Sequence, residues 1–291
     1  MSWRTVVIAN SAKLDYQLGY LVVRGEKVTK IYLSEISNLM IESTAVSLTS
    51  ALLCELMKKK IKVIFCDEKR NPSSELLPYQ GAHDTSAKIR RQIAWSEEEK
   101  TAVWTEIVTE KIRKQAEHLT YWGYLDAEEM LHTYLCEIEF GDATNREGHA
   151  AKVYFNALFG MDFTRTTENS LNAALNYGYG ILLSACNREI VANGYITQLG
   201  LFHDNMFNPF NLGSDFMEPF RPLVDFEVRR MMPEKFEHEE KMEILKLLQK
   251  EIVIGGRKEN VNNGIKIYCR SVFDALNDKD MSLIKFYRNE L

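Results

Sequence analysis

The chain has 291 residues, of which 45% are hydrophobic and 26% are charged. This composition is typical of globular domains and excludes a wholly disordered chain, because the apolar fraction is sufficient for a core. The length predicts about two domains. With 36 Lys+Arg against 41 Asp+Glu, the formal charge is -5, which argues against a uniformly basic surface for nucleic acid but leaves room for a local basic stripe.

No stretch of the sequence approaches the ~20 apolar residues that a membrane-spanning helix needs. The N-terminus lacks the apolar region of a signal peptide. The five cysteines are scattered and form no CxxC pair, a pattern typical of a reducing compartment. We therefore expect a cytoplasmic protein with no membrane association.

The N-terminal region has the pattern of short strands. Residues 5–8 are a β-branched run, and the segments 18–23 and 28–33 flank the turn-like pair Gly25-Glu26, which predicts a hairpin. Apolar residues at helical spacing follow over 48–59, and 62–65 favours another strand. Residues 1–66 are thus predicted to form a small β-rich domain.

The remainder of the chain has mainly helical patterns. Residues 67–86 contain turn formers, including Pro72 and Pro78, and are predicted to be a linker. Beyond the linker, helical segments are predicted over 85–117, 126–139, 143–159, 168–193, 214–230, 237–252 and 264–276. Gly255-Gly256 is interpreted as a hinge or loop. Residues 87–291 are thus predicted to form an all-helical domain, and the fold class is α+β.

The first candidate site residue is Glu147. In a helix over 143–159, Glu147 lies on the same stripe as Ala151, Tyr154 and Leu158. A carboxylate on an apolar face needs an arginine, a proton or a metal as its partner, because burying it alone is costly. From this helix alone, an ion pair with an arginine is favoured. Gly148, an unfavourable residue inside a helix, indicates close approach by another chain or a ligand.

Two later segments supply further candidates. His203 lies in a loop-like stretch, and Asp215, Glu218 and Asp225 share one face of a predicted helix. Taken alone, each segment favours a structural role. His203 would be a hydrogen-bonded polar residue, and the acids would lie on a solvated helical turn. Taken with Glu147, two carboxylates and an imidazole form a donor set that favours magnesium or manganese. Such ions typically serve phosphoryl chemistry.

Basic clusters accompany these acids. They include Lys88 with Arg90 and Arg91, and the segment 111–114, and tryptophans lie nearby. Basic side chains with aromatic residues suit nucleic-acid backbones and unpaired bases. For any single cluster the favoured interpretation is a solvated helix face. We nevertheless take Lys88, Arg90 and Arg91 as candidate DNA contacts.

Together, these segments resemble a known family. They are NREGHAAKVYFNALFG from Asn145 to Gly160, then His203, and SDFMEPFRP from Ser214 to Pro222. The chain resembles the CRISPR-associated spacer-acquisition integrases, the first-numbered Cas protein, and looks most like the form found in type II-A systems. The likeness spans nearly the whole chain, including the order of a β domain before a helical one.

The resemblance implies a metal-dependent DNA integrase of CRISPR adaptation, a branch of antiviral defence, with endonuclease activity. It implies Glu147, His203 and Glu218 as catalytic ligands of magnesium or manganese, with Asp215 as an auxiliary acid. In the implied reaction, a 3′-OH of protospacer DNA attacks a phosphate of the CRISPR repeat. The implied partners are a second copy bound through the β domain, the second-numbered Cas protein in a heterohexamer, and double-stranded DNA.

Two other functions remain open. One is a stand-alone metal-dependent DNA nuclease, which would share the same ligands, and joining of a supplied 3′-OH strand would separate it from an integrase. The other is a non-catalytic DNA-binding scaffold in which Glu147 and Glu218 pair with arginines. Loss of metal binding with DNA binding intact would favour that scaffold.

Overall fold

The computed structural model describes residues 4–78 and 82–288. The chain divides into two compact units, residues 1–81 and 82–291. The first is rich in strands and the second is mainly helical, so the α+β prediction is confirmed. The predicted linker, residues 67–86, is partly regular, because its residues 72–75 form a strand that pairs within the first unit and a helix begins at Thr85.

Eight strands and one α-helix build the described part of the first unit. They are β1 (Arg4–Ile8), β2 (Ala12–Gln17), β3 (Tyr20–Arg24), β4 (Val28–Tyr32), β5 (Ile36–Ile41), β6 (Val46–Leu48), α1 (Ser50–Lys58), β7 (Lys62–Cys66) and β8 (Pro72–Glu75). The strands form two four-stranded sheets, with the orders β1-β5-β7-β8 and β4-β3-β2-β6. Every residue of the interior strand β5 is buried, as expected for a strand that is covered on both faces.

The sheets enclose an aliphatic core. Leu14, Leu21, Leu39, Leu52 and Val63 are all fully buried within it. The predicted hairpin forms between β3 and β4. The strand predicted over 18–23 begins instead at Tyr20, because Leu18 and Gly19 both adopt positive φ and make the two-residue turn between β2 and β3.

Nine α-helices and a small sheet build the described part of the second unit. The helices are α2 (Thr85–Ile93), α3 (Glu97–Trp122), α4 (Leu125–Cys136), α5 (Arg146–Phe159), α6 (Ser170–Ala192), α7 (Asn211–Met217), α8 (Arg221–Met231), α9 (His238–Leu245) and α10 (Val261–Asp278). The long helix α3 contacts α4, α5 and α8. A reciprocal capping box between Ser96 and Glu99 begins α3, and Gly123 with φ 79° ends it.

The small sheet corrects the prediction that the second unit is entirely helical. It consists of β9 (Glu251–Ile254), β10 (Arg257–Asn260) and β11 (Tyr287–Arg288), in the order β10-β9-β11. Gly255 and Gly256, with φ 58° and 76°, join β9 to β10 as a two-residue turn. The β-branched run before this glycine pair was the strand signal, and the helix predicted over 237–252 therefore ends early.

The segment predicted as one helix over 214–230 is also divided. Helix α7 ends at Met217, a 3₁₀ turn spans Glu218–Phe220, and α8 begins at Arg221. Pro219 and Pro222 lie at this break, where each removes a backbone donor. The break leaves Glu218 at a junction between two helices rather than in the middle of one. Among the residues described, no helix is long and apolar enough to cross a membrane.

Candidate active site

Helices α3 and α5 position the first candidate ligand. Lys111 of α3 contacts Glu147 of α5, and His118 of α3 contacts Tyr154 of α5. Both pairs are offset by seven residues in the same direction, so the two helices run parallel, with contacts about two turns apart. This double contact fixes where the Glu147 carboxylate lies along α3.

The first turn of α5 contains Gly148, at which the sequence predicted a close approach. Asp142 accepts hydrogen bonds from the backbone N–H groups of Arg146 and Glu147, at 2.7 and 3.0 Å. A Cβ at Gly148 would lie 2.8 Å from the side-chain amide of Asn145. The start of its own helix therefore already makes a close approach at Gly148.

Lys111 links the two acidic candidates. Its ammonium bonds to Oε1 of Glu147 and, at 2.5 Å, to Oε2 of Glu218. The side chain of Lys111 is 7% exposed, against 28% for Glu147 and 4% for Glu218. The sequence required a partner for Glu147 and favoured an arginine. The structure supplies a lysine, shared with a second carboxylate 71 positions along the chain.

Glu218 has a second cationic partner in Arg221, whose Nη1 lies 2.7 Å from Glu218 Oε1. Burial alone would raise the pKa of Glu218, but the charges of Arg221 and Lys111 outweigh it and lower that pKa to about 2. For Lys111, burial lowers the pKa, and the Glu218 and Glu147 charges outweigh it in the opposite direction. The carboxylate of Glu218 is thus anionic and the amine of Lys111 cationic at neutral pH.

Asp215 holds the third candidate ligand, His203. The buried Asp215 carboxylate accepts backbone N–H groups from Leu201 at 2.5 Å, Phe202 at 3.2 Å and His203 at 3.1 Å. His203 Nδ1 lies 2.6 Å from Asp215 Oδ1, and it must donate because a carboxylate only accepts. This hydrogen bond is the main cause of the raised pKa of His203. It leaves Nε2 as the ring atom available to a ligand.

Burial contradicts the interpretation of the acids as a solvated face. Asp215, Glu218 and Asp225 are all buried. Asp225 accepts a hydrogen bond from the hydroxyl of Tyr179, and burial raises the pKa of Asp225 to about 6. The face that was predicted to be solvated is therefore an interior network that joins α6, α7 and α8.

A cavity of about 490 Å³ opens beside these groups. Its lining includes Glu147 and Asp225 with the cationic side chains of Lys111, Lys152, Arg165 and Arg221. Phe155 and Phe163 supply an apolar wall. Such a cavity is chemically suited to an anionic ligand that also carries an aromatic ring.

The donor chemistry of the three predicted ligands fits magnesium or manganese. Glu147 and Glu218 offer carboxylate oxygens, and the held ring of His203 offers one nitrogen. In residues 4–78 and 82–288, however, no three acidic, histidine or cysteine side chains are arranged to hold an ion. The Lys111 ammonium lies between the two carboxylates and supplies positive charge there. The structure brings Glu147 and Glu218 together, while His203 is bound to Asp215.

The candidate DNA contacts lie elsewhere. Arg90 and Arg91 are exposed in the last turn of α2, and Lys88 lies 4.0 Å from Asp84 and over the ring of Tyr195. These three side chains are not in the lining of the cavity, and their contact with DNA stays a prediction. The favoured interpretation of 111–114 as a solvated helix face is wrong for Lys111 and Lys114, because both are buried in ion pairs.

The residue of the candidate site that the sequence interpretation missed is Lys111. Lys111, Lys114, Gln115 and His118 are all buried in α3, at the i, i+3, i+4 and i+7 spacing of one helix face. This spacing is visible in the sequence. It was missed because lysines on a helix are usually solvated, and only the acids brought from other helices make this face an interior one.

His118 makes a pH-dependent contribution to stability. Burial, then the charges of Lys114 and Lys250, lower the pKa of His118 to about 3 from 6.5. The unfolded chain therefore binds this proton more readily, so stability is full above pH 6.5 and is lost as the pH falls toward 3. We expect a loss of about 2 kcal/mol between pH 8 and 5 from this group.

Urea unfolding of wild type and His118→Gln at pH 8, 6.5 and 5 measures this contribution. Glutamine can still bond to the hydroxyl of Tyr154, which lies 3.0 Å from His118 Nδ1, but it does not titrate. The variant should lose less stability on acidification than wild type. Parallel pH profiles for the two proteins would show that His118 is not the titrating group.

Known proteins resemble this chain over most of its length. The family described as CRISPR associated protein Cas1 matches residues 5–253. The CRISPR-associated endonuclease Cas1 of Neisseria meningitidis serogroup C (strain 8013) is 40% identical over 230 residues, which are 78% of this chain and 75% of the relative.

Two solved structures have a similar fold. A casposase bound to integration product matches with a TM-score of 0.77 at 18% identity, covering 97% of this chain and 92% of that one. A chain of a Cas6-RT-Cas1–Cas2 complex matches with a TM-score of 0.74 at 17% identity. That match covers 97% of this chain and 36% of that one, so the likeness concerns one part of a longer protein.

Proposed function

This chain belongs to the CRISPR associated protein Cas1 family, and from that premise we propose that it is the DNA integrase of CRISPR adaptation. It inserts protospacer DNA into the repeat array by transesterification and requires magnesium or manganese. The endonuclease named in the relative from Neisseria corresponds to the same chemistry with water in place of the DNA 3′-OH.

One observation carries this proposal. Glu147 and Glu218, from separate helical segments, converge on a single cation, Lys111, at the edge of a cavity with further cationic side chains. Convergent carboxylates beside a positively charged cavity are typical of sites that hold a divalent ion and a phosphate together. Because the two acids lie together at the edge of a cationic cavity, the arrangement favours phosphoryl transfer over a non-catalytic scaffold.

The chain's own residues perform three tasks in the proposed mechanism. Glu147 and Glu218 offer oxygen ligands, and His203 offers Nε2 because Asp215 holds Nδ1. Arg221 keeps Glu218 anionic through its 2.7 Å ion pair. The chemistry that magnesium or manganese supplies when bound is polarisation of the scissile phosphate and stabilisation of its developing charge.

The cavity positions the DNA. Lys152, Arg165 and Arg221 attract the phosphodiester backbone, and Phe155 with Phe163 accommodates a base. The incoming 3′ oxygen forms a bond to the repeat phosphorus, the 3′ oxygen previously bonded to that phosphorus leaves with the proton, and the number of phosphodiester bonds is unchanged. No ATP and no covalent enzyme intermediate is needed. Holding both strands in place supplies much of the rate advantage.

The proposed assembly is based on membership of the same family. We propose a homodimer formed through the β-rich unit, and a heterohexamer with Cas2, the partner named in the similar Cas6-RT-Cas1–Cas2 complex. The DNA substrates are the double-stranded protospacer and the leader–repeat junction. A paired assembly suits the reaction, since two insertion sites must be held at a defined spacing.

Strand transfer in vitro tests the proposal. The purified chain and its Cas2 partner are incubated with a short 3′-OH duplex and a supercoiled leader–repeat plasmid, with manganese, magnesium or EDTA. Metal-dependent joining is the expected result, and a duplex with dideoxy 3′ ends is the matched control. Nicking without joining would indicate a nuclease. DNA binding without any reaction would indicate a scaffold.

A further inference from the structure

The position of Lys111 between the predicted metal ligands has a consequence for metal binding. We propose that the Lys111 ammonium is the built-in counterion of Glu147 and Glu218, and that a divalent ion binds there only in exchange for it. The inference rests on the proposed function, because it takes these carboxylates as the ligands. Lys111 is then a positioning residue that keeps both acids converged until the ion arrives.

The contacts place Lys111 in competition with an ion for the same carboxylate oxygens. The ammonium uses Oε1 of Glu147 and Oε2 of Glu218. Arg221 uses the remaining oxygen of Glu218, Oε1. Oε2 is therefore the Glu218 oxygen for which Lys111 and an ion compete. Two cations on the same pair of carboxylates would also repel each other strongly, since the site is buried.

The surroundings allow the lysine to leave. Lys111 lines the 490 Å³ cavity, as do Gln115 and Asp225, and its unbranched side chain can change rotamer within that space. Arg221 stays bonded to Glu218 during the exchange, so the buried carboxylate always keeps a cationic partner. The displaced ammonium would then join the other cations of the cavity, on the side where the phosphodiester binds.

A matched lysine lies one turn further along α3. Lys114 is as deeply buried as Lys111 and also bridges two acids, Glu110 and Glu117. Its carboxylate partners are not candidate metal ligands. Lys114→Met therefore reproduces the loss of a buried, doubly paired lysine from the same helix without changing the site.

Manganese binding, followed by electron paramagnetic resonance of the free ion, tests the exchange. Lys111→Met should bind Mn²⁺ at least about tenfold more tightly than wild type, because the competing cation is gone. Lys114→Met should bind as wild type does. An unchanged or lower Mn²⁺ affinity of Lys111→Met would overturn the inference.

Glu147→Gln separates failure of this inference from failure of the proposed function. If Glu147→Gln lowers the Mn²⁺ affinity while Lys111→Met does not raise it, the metal site stands and the exchange is wrong. If Glu147→Gln leaves the Mn²⁺ affinity of wild type unchanged, these carboxylates are not the ligands and the inference fails with the metal site.

A measurement on the wild-type protein avoids dependence on how the variants fold. Acetylation by an N-hydroxysuccinimide ester, followed by peptide mass spectrometry, reports the accessibility of each lysine. Labelling of Lys111, whose side chain is only 7% exposed, should rise when Mg²⁺ is added, while labelling of Lys114 should not. Equal labelling of Lys111 with and without Mg²⁺ would contradict the exchange.

Discussion

Replacing Glu147 with glutamine is expected to reduce strand transfer by at least about 10²–10³-fold, because the loss of one charged group at a site of transition-state charge has effects of this size. The protein should stay folded. Glutamine has nearly the same volume and keeps an oxygen near Lys111, and Lys111 retains its 2.5 Å contact with Glu218. Joined product from the leader–repeat plasmid, measured against time, gives the rate.

Glu137→Gln is the matched control for this variant. Glu137 is a partly exposed acid that pairs at 3.1 Å with Arg146, the residue before Glu147 in the sequence. Glu137 is not in the lining of the cavity. Its strand transfer should equal that of wild type. If Glu147→Gln integrates DNA at a comparable rate to Glu137→Gln, Glu147 is not a catalytic ligand.

Replacing Asp215 with alanine should have the largest effect on stability, a loss of about 3–5 kcal/mol in the free energy of unfolding. The carboxylate of Asp215 is fully buried and accepts four hydrogen bonds, three from backbone N–H groups and one from His203 Nδ1. Alanine would leave these donors without their acceptor in the interior. Chemical unfolding of the helical unit measures the loss.

Two further variants make the Asp215 prediction specific. Asp215→Asn keeps one acceptor oxygen and should lose less stability than Asp215→Ala. Asp204→Ala removes an exposed acid next to His203 and should change stability by no more than about 0.5 kcal/mol. A small loss for Asp215→Ala, equal to that of Asp204→Ala, would show that Asp215 does not organise the loop.

The Asp215 variants also bear on metal binding. Without the carboxylate, the His203 ring is no longer held with Nδ1 inward, so Nε2 is not presented in a fixed direction. Removing a carboxylate that orients a metal-bound histidine typically lowers metal affinity about 10–100-fold. Mn²⁺ affinity of Asp215→Asn, measured where the variant is folded, checks this role separately from stability.

Local sequence patterns were sufficient for the order of the two units and for most elements. The β-branched run at 5–8 and the apolar spacing over 48–59 predicted β1 and α1, since these patterns depend on periodicity within one segment. Two-residue turns were harder to predict from the sequence than strands and helices. Leu18-Gly19 carries a left-handed leucine, which sequence gives little reason to expect.

The candidate ligands could also be named from the sequence, but their partners could not. The segments around Glu147, His203 and Glu218 carry the family resemblance, and that resemblance needs no coordinates. The need of Glu147 for a partner followed from its place on an apolar stripe. That the partner is Lys111 depends on the parallel contact of α3 with α5, which no local pattern specifies.

Only the tertiary structure decided which charges are interior. In sequence, Lys111 belonged to a basic cluster and Asp215 to an acidic helix face, and both would ordinarily be solvated. Packing of the helices buries Lys111 against Glu147 and Glu218, and it buries Asp215 against the segment 201–203 with the ring of His203. This burial is tolerated because each charge has polar or oppositely charged partners. Local residue types determined the chemistry of the candidate site, whereas long-range contacts determined which of its charges are paired, because ion pairing depends on distance in space and not along the chain.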